Sequence, residues 1–197
     1  MVTATGSIAV EPLTTDRFGD LAALFKQGGD AKWCWCQYFR TRGLSWSNST
    51  PKSNRARLRA MAGKKPAPGL VAYRDAEAVG WVSLGPRESY DRLEGAKMLA
   101  RLDEVPVWSI VCFVVSARAR GQGVARTMLN AAIEHARSNG ASTIEAYPVA
   151  DTRGRVPAAS AYHGAQSMFE KAGFTVVETR RWNKSSPPRP IMRLELT

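Results

Sequence analysis

An apolar segment that runs through a glycine-containing turn into an amphipathic helix most constrains the fold of this chain. Residues 107–115 are rich in β-branched and aromatic side chains and are apolar at successive positions, which is typical of a strand buried on both faces. Residues 123–139 carry apolar side chains at helical spacing, and Gly140 follows as a helix-ending residue. The sequence therefore predicts a central strand followed by a helix that packs on the same sheet.

Further strands and helices are predicted on both sides of this unit. The strands are expected at 8–10, 70–73, 78–84, 143–147, 174–181 and 191–196, and the helices at about 14–28, 54–62 and 159–172. Strands alternate with helices only in the middle of the chain. That order favours an α/β fold of the α+β type, with a mixed, mostly antiparallel sheet of about seven strands and helices on both faces. The 197 residues suit a single domain, residues 1–197.

The chain carries a formal charge of +11, from 28 Lys and Arg against 17 Asp and Glu. Nucleic acid and a small polyanionic ligand are both natural partners for such an excess. The two dense basic runs, 52–65 and 180–193, lack interleaved aromatic residues, which disfavours a nucleic-acid binder and leaves a solvated basic face as the alternative. No apolar run approaches the roughly 20 residues that span a bilayer. Residues 1–9 lack the pattern of a signal peptide, so we expect a cytoplasmic protein without a membrane partner.

The turn between the central strand and the following helix has the features of an anion site. Gly121 and Gly123 let the backbone approach a ligand closely, and the first N–H groups of the helix have no partner within the helix. Arg118 and Arg120 add positive charge beside them. The P-loop pattern does not fit, because no Lys-Ser/Thr pair follows the glycines, and the dinucleotide-binding pattern lacks its third glycine. A pyrophosphate-binding turn is the functional hypothesis, and a helix entry without a ligand is the structural alternative.

With these residues in place, the sequence resembles the GNAT superfamily of N-acetyltransferases. The family motif is Arg or Gln, two residues, Gly, one residue, and Gly or Ala, and Arg118, Gly121 and Gly123 match it. A second family element, an aromatic residue followed after three residues by Gly-Phe, is matched by residues 169–174. The predicted order of strands and helices also matches, so the resemblance covers nearly the whole chain.

The resemblance implies an acetyl-CoA-dependent N-acetyltransferase, in which an amine attacks the thioester directly through a tetrahedral oxyanion. The central strand and the strand at 143–147 would part in a V to admit acetyl-CoA as a co-substrate. The pantetheine arm would pair with the backbone of the central strand, and the pyrophosphate would bind the amides of the turn. The implied cofactor-binding residues are Phe113, Val114, Val115, Arg118, Arg120, Gly121, Gln122, Gly123, Val124, Ala125 and Phe169.

The sequence departs from the family pattern at the catalytic positions. Many members carry Tyr, the proton donor to the leaving thiolate, where Phe169 stands, and many carry a Glu base where Trp108 or Ser109 stands. Tyr162, which replaces a frequent Asn, and Glu145, on the neighbouring strand, are therefore the candidate catalytic residues. The structural alternatives are a packing role for Tyr162 and an ion pair with an arginine for Glu145.

The three cysteines do not form a disulfide framework. Cys34 and Cys36 supply only two thiolates, and Cys112 lies in the apolar strand, so we expect no zinc site and no metal cofactor. The aromatic residues around the cysteine pair are more simply interpreted as the wall of a cleft, which borders the acceptor in the resembled family. This group is Trp33, Cys34, Trp35, Tyr38, Phe39 and Trp46.

The aromatic residues favour a small-molecule amine as the acceptor of the acetyl group. A protein lysine or N-terminus is the alternative acceptor, and a catalytically silent CoA-binding module is the alternative to an enzyme, since Phe169 has no hydroxyl. His163 has an ordinary pKa suited to proton transfer near neutrality, although a surface histidine is the simpler interpretation. The predicted partners are acetyl-CoA and an amine, and a homodimer stays open.

Overall fold

The computed structural model describes residues 6–150, 162–181 and 183–196. Its seven strands form one sheet, in the order β1-β2-β3-β4-β5-β7-β6. Every neighbouring pair is antiparallel except β4 and β5, which are parallel. The strands are β1 (Ile8–Pro12), β2 (Gly69–Arg74), β3 (Glu77–Pro86), β4 (Trp108–Val115), β5 (Thr143–Ala146), β6 (Thr175–Arg180) and β7 (Arg189–Glu195). The predicted fold class, a mixed and mostly antiparallel sheet with helices, is confirmed.

Seven α-helices connect or cover these strands in the described part of the chain. They are α1 (Phe18–Lys26), α2 (Ala31–Cys34), α3 (Gly43–Ser47), α4 (Pro51–Met61), α5 (Asp91–Gly95), α6 (Val124–Ser138) and α7 (Gln166–Glu170). Short 3₁₀ turns occur at Arg87–Ser89, Lys97–Leu99 and Ala117–Ala119. The assignment of the whole chain to one domain stays a prediction.

The sheet buries a different set of helices on each face. Helix α6 packs against β1 to β4 with an apolar stripe that includes the fully buried Met128 and Leu129. Helix α1 packs on the other face over β3, where the Phe25 ring meets the Trp81 ring edge-on. Trp81 belongs to the α1 face and its neighbour Val82 to the α6 face, as the alternation of side chains along a strand requires. Both faces of the central strands are therefore buried, which explains their continuous apolar sequence.

Helix α4 begins three residues earlier than the sequence pattern predicts. The Thr50 hydroxyl accepts the Ser53 N–H at 3.1 Å, and the Ser53 hydroxyl accepts the Thr50 N–H at 2.9 Å. This reciprocal capping satisfies two backbone donors and starts the helix at Pro51, which tolerates the first helical position.

The helix predicted at 159–172 is wrong over most of its described length. Only Gln166–Glu170 is α-helical there, and residues 159–161 lie outside the described residues. Gly164 has a φ of +76°, and Ala165 forms a parallel bridge with Val149, so no α-helix connects Tyr162 to α7. Tyr162 and Phe169 therefore do not share one continuous helix. In the described ranges, no helix has the length and apolar character needed to cross a membrane.

Candidate cofactor and acceptor site

The parallel strands β4 and β5 separate after a short paired segment. Their register ends with Ile110 opposite Ala146, whereas β4 continues to Val115. On its other side, β4 has a bulge at Val111, because Ser83 pairs with Cys112 and Leu84 pairs with Ile110. β5 ends at Ala146, so the β4 backbone from the bulge to Val115 has no β5 partner. The opening contains the predicted backbone sites Phe113, Val114 and Val115.

The glycine turn lies directly at the end of this open segment of β4. Gly121 has a φ of +73° and Gly123 a φ of +81°, a region that glycine occupies without a steric penalty. A Cβ added at either position meets no atom within 4 Å, so the space beside both glycines is open to a ligand. Gly123 is the N-cap of α6 and provides no side-chain cap, which leaves the first amides, including those of Val124 and Ala125, for an external acceptor.

The arginine side chains of the turn are held by polar partners. Arg118 forms an exposed ion pair with Glu77, and the Gln122 amide donates to the Arg118 carbonyl at 2.7 Å. Arg74 donates to the Gln122 side-chain oxygen, and the Arg120 Nε donates to the Val115 carbonyl at 3.4 Å. A cavity of about 470 Å³ adjoins the turn, and its lining includes Arg74 and Gln122. The turn thus combines free backbone donors with cationic side chains, which is a suitable environment for a pyrophosphate.

Phe169 lies in the core rather than on the surface of the opening. Its side chain is fully buried, and its ring packs edge-on against the rings of Phe113 and Phe174, with centroid distances of 6.1 Å and 5.2 Å. The backbone of Phe113 is at the opening, but its side chain belongs to the α6 face. Contact between Phe169 and the cofactor therefore stays a prediction, and it requires the ring to become accessible.

Glu145 is part of a buried ion-pair network. Its side chain is 2% exposed; Arg193 Nε donates to Oε1 at 2.9 Å, and Arg87 Nη1 donates to Oε2 at 3.2 Å. The Tyr147 hydroxyl also donates to Oε2, at 2.7 Å. Three hydrogen bonds, two of them from guanidinium groups, thus hold this carboxylate in a structural network. The structure thus favours the ion-pair interpretation of Glu145 over the predicted catalytic one.

Tyr162 and His163 line the other face of the opening, where α1 and α2 pack. The Tyr162 hydroxyl accepts the Asp30 N–H at 3.0 Å, and its own proton has no acceptor among the described residues. Burial raises the pKa of Tyr162 above its usual value, which keeps the hydroxyl protonated. Its predicted catalytic role is compatible with this position and stays a prediction.

His163 is closer to the opening than its sequence context suggests. Its ring packs edge-on against the Phe39 ring, with the ring centroids 5.5 Å apart, and lies near the backbone of Val111, the bulge residue. Burial, with a smaller contribution from nearby Arg189, lowers the pKa of His163 to about 4. The imidazole is therefore neutral near pH 7, at the point where β4 leaves β5.

The predicted aromatic wall divides into two groups. Trp35 is 4% exposed and stacks with Phe18 at 6.2 Å, so this tryptophan belongs to the core and its assignment to a cleft wall is wrong. Trp33 and Tyr38 are each about two-fifths exposed, and both pack edge-on against Trp46. The exposed group, with Phe39 behind it, can border an acceptor.

Cys36 packs into the core beside Cys112, whereas Cys34 is only partly buried. The Cys36 and Cys112 Sγ atoms are 3.7 Å apart, and the Trp81 indole N–H donates to the Cys36 sulfur at 3.0 Å. The neighbouring thiol of Cys112, as the largest contribution, raises the pKa of Cys36 well above its usual value, and burial adds to the rise. Across the ranges that the structure describes, no group of three or more His, Cys, Asp or Glu side chains is placed to hold a metal.

The sequence and the fold agree with one known family. The model of the acetyltransferase (GNAT) family matches residues 32–174. The chain belongs to the GNAT acetyltransferase family. It is therefore a GNAT-type acyltransferase, and the resemblance noted in the sequence is confirmed.

Solved structures of GNAT proteins have the same fold. A GNAT-family acetyltransferase from Streptococcus pneumoniae is 14% identical, with a TM-score of 0.57, over 97% of this chain and 100% of that chain. A polyamine N-acetyltransferase from Drosophila melanogaster is 13% identical, with a TM-score of 0.58, over 96% and 100%. A putative acetyltransferase from Salmonella typhimurium, solved with its cofactor acetyl-CoA, is 17% identical, with a TM-score of 0.57, over 98% and 95%. Among curated proteins, none matches this chain in sequence.

The sequence does not predict the positions of two arginines near the site. Arg87 is 1% exposed and connects Glu145 to Glu94, although it lies in a segment without a periodic pattern. Arg189, at the start of β7, lies near His163, although it belongs to a basic run that resembles a solvated surface. Both positions depend on long-range packing, which hydrophobic periodicity does not encode.

Proposed function

We propose that the protein transfers an acetyl group from acetyl-CoA to the primary amine of a small molecule. The observation that carries the proposal is the opening between β4 and β5, which ends at a glycine turn with free backbone donors. A neighbour with the same fold holds acetyl-CoA. In the proposed complex, the pantetheine arm adds to the open edge of β4 and the pyrophosphate lies on the first amides of α6.

The reaction requires the amine to approach from the face that contains α1 and α2. That face presents Tyr38, Trp46 and the neutral ring of His163, whereas the opposite face is filled by α6 and Phe169. A neutral amine attacks the thioester carbonyl, and the carbon–sulfur bond of the tetrahedral intermediate then breaks. Tyr162 is the candidate donor of a proton to the departing thiolate, because the Asp30 amide donates to its hydroxyl oxygen and does not use the hydroxyl proton. The amine nitrogen releases its surplus proton to solvent, and solvent reprotonates Tyr162.

Small-molecule amines are the preferred acceptor class because the exposed aromatic group is compact. Neighbours with this fold include a polyamine N-acetyltransferase and an agmatine N-acetyltransferase. Because a fold shared at such low identity does not fix the substrate, the preference for a small-molecule amine rests on this chain's own side chains.

A calorimetric titration with acetyl-CoA, followed by a screen of amines that monitors free thiol and the acetylated product, tests the proposal. We expect acetyl-CoA to bind and at least one amine to yield both products in equal amounts. Failure of the folded protein to bind acetyl-CoA would rule out the cofactor site, whereas thiol release without an acetylated amine would show thioester hydrolysis instead of transfer.

A further inference from the structure

The net positive charge of the protein is concentrated in one stretch of the chain, residues 31–74. This stretch contains ten Lys and Arg and no Asp or Glu, whereas the remaining residues are nearly balanced, with 18 Lys and Arg against 17 Asp and Glu. In the ranges that the structure describes, seven arginines outside the stretch form ion pairs with carboxylates, and none of the ten cations inside it does. Their charges therefore do not stabilise the fold through ion pairs.

Helix α4 carries part of this charge in a way that weakens the helix itself. Lys52, Arg55 and Arg59 are exposed and lie three and four positions apart, so they share one side of the helix. Like charges at this spacing repel each other, and Lys52 in the first turn opposes the helix dipole. The guanidinium groups of Arg55 and Arg59 lie 5.5 Å and 5.9 Å from the centroid of the Phe18 ring, which orients them without neutralising them. A local conflict of this kind is typical of a functional surface.

The fold places exposed aromatic rings beside this basic helix. Arg57 Nη2 donates to the Ser45 hydroxyl at 3.4 Å, which connects α4 to α3 next to Trp46. The Trp46 ring packs edge-on against the rings of Trp33 and Tyr38, with centroid distances of 5.1 Å and 5.2 Å. The rings of Trp33 and Tyr38 are each about two-fifths exposed. The basic run of α4 contains no aromatic residue of its own, and packing against the preceding segment supplies them.

Arg92, on α5, adds a further cation to the same surface. Its guanidinium lies 3.9 Å from the centroid of the Tyr38 ring and 5.6 Å from that of the Trp46 ring. Its hydrogen bonds go to the backbone carbonyls of Tyr38 and Thr41, so its charge is not neutralised by a carboxylate among the described residues. Cations and exposed rings therefore form one continuous surface.

This combination favours one class of polyanion. In a single-stranded nucleic acid, the phosphates bind guanidinium groups and the exposed bases stack on aromatic rings. A duplex hides the faces of its bases, and an acidic peptide has no bases, so neither of them would use the rings. The charged side of α4, from Lys52 to Arg59, covers about 10 Å of the helix axis, which matches about three stacked nucleotides.

We propose that the surface formed by α2, α3, α4 and Arg92 binds single-stranded nucleic acid. Phosphates would lie along the cations of α4, and bases would stack on the exposed rings beside it. The proposed contacts are Trp33, Tyr38, Trp46, Lys52, Arg55, Arg57, Arg59 and Arg92. This inference goes beyond the proposed function and does not depend on it, because none of these residues belongs to the cofactor turn.

Fluorescence anisotropy with labelled strands tests the proposal. The probes are RNA and DNA strands of mixed sequence, about 12 nucleotides long, the duplex of the DNA strand, and a poly-glutamate chain of similar charge. We expect at least one single strand to bind about fivefold or more tighter than the duplex and the poly-glutamate. Its affinity should fall steeply as salt rises from about 50 to 200 mM. The strand that binds more tightly, RNA or DNA, identifies the natural class.

Charge variants locate the phosphates. Lys52→Gln/Arg59→Gln removes two exposed cations, and we expect binding about fivefold or more weaker, with the slope of log K against log salt smaller by about 1.4. Lys171→Gln/Lys184→Gln removes the same charge from two exposed positions outside the stretch, and it is expected to change neither quantity. Because the α4 cations repel each other, the first variant should melt at the wild-type temperature or above it. A lower melting temperature would make these cations structural.

A ring variant identifies the stacking contribution. Trp33→Leu removes an exposed ring and no charge, so we expect the single strand to bind about fivefold or more weaker with an unchanged salt slope. An unchanged affinity would show that the rings do not contact the bases and would overturn the single-strand assignment.

The remaining outcomes contradict the inference and leave the proposed function intact. The inference fails if no single strand binds, or if the duplex or the poly-glutamate binds equally well. Equal weakening in the two double variants would place the strand elsewhere on this basic protein. Displacement of the strand by saturating acetyl-CoA would place it on the cofactor turn. The titration with acetyl-CoA needs no nucleic acid, so either result can fail while the other stands.

Discussion

Replacing Glu145 by Gln separates a structural carboxylate from a catalytic base, because the amide keeps the shape of the side chain and removes its charge. In the wild type, the carboxylate accepts from Arg193 at 2.9 Å, from Arg87 at 3.2 Å and from Tyr147 at 2.7 Å, at 2% exposure. In Glu145→Gln, one oxygen becomes an NH₂ group that faces other donors, so at least one guanidinium contact is lost.

The expected loss of unfolding free energy depends on the ion pairs that Arg87 and Arg193 keep in the variant. Breaking a buried ion pair by removing one partner typically costs about 3–5 kcal/mol. Arg87 retains Glu94, and Arg193 retains Asp103, so neither cation is left without a carboxylate. We therefore expect the lower end, about 3 kcal/mol of unfolding free energy. For a chain of this size, that corresponds to a decrease in melting temperature of roughly 6–12 °C.

Chemical and thermal denaturation measure this change, with Glu134→Gln as the control. Glu134 makes an exposed pair with Arg137 one helical turn away, so the same chemical change there should cost less than about 0.5 kcal/mol. If Glu145→Gln unfolds within about 1 kcal/mol of Glu134→Gln, the network does not stabilise the fold as argued. If stability is retained but turnover falls about 100-fold or more, Glu145 is a general base, and the ion-pair interpretation is wrong.

Three further perturbations test the cofactor turn and the proton chemistry. Gly121→Glu and Gly121→Gln both place a side chain at positive φ, which costs each variant about 1–2 kcal/mol, and the added Cβ meets no atom within 4 Å in either case. The two variants therefore differ mainly in charge, and we expect calorimetry to show acetyl-CoA binding at least tenfold weaker in the Glu variant than in the Gln variant. Equal affinities would place the pyrophosphate elsewhere. Tyr162→Phe should lower turnover about 100-fold with unchanged acetyl-CoA affinity, and nearly full turnover would leave Tyr162 only its contact with the Asp30 amide. The folded pKa of His163, about 4, lies below the unfolded value of about 6.5, so its contribution to stability is present above pH 6.5 and is lost as the pH falls toward 4. Denaturation at several pH values should therefore show a shallower acid-side slope in His163→Gln, by up to about 1.4 kcal/mol per pH unit, and an unchanged slope would mean that His163 is solvated.

The cofactor turn is the part of the site that the sequence determined by itself. Its function depends on backbone amides, and the conformation of those amides follows from local residues: a buried strand, two glycines at positive φ, and a helix start. The seven strands and the long helix α6 were equally predictable, because a side-chain period of two or of 3.6 is recorded in neighbouring residues.

Tertiary structure alone decided what the charged and aromatic side chains do. Glu145 is a candidate base from its place on the strand, and only the fold places Arg87, 58 positions away, in an ion pair with it. Trp35 and Trp33 are two residues apart in an aromatic run, yet a left-handed backbone at Trp35 sends one ring into the core and leaves the other exposed. The sequence favours a surface position for His163, whereas the fold places it beside the β4 bulge at Val111. Such roles arise from the low dielectric and the specific neighbours that packing creates, which no short window of sequence contains.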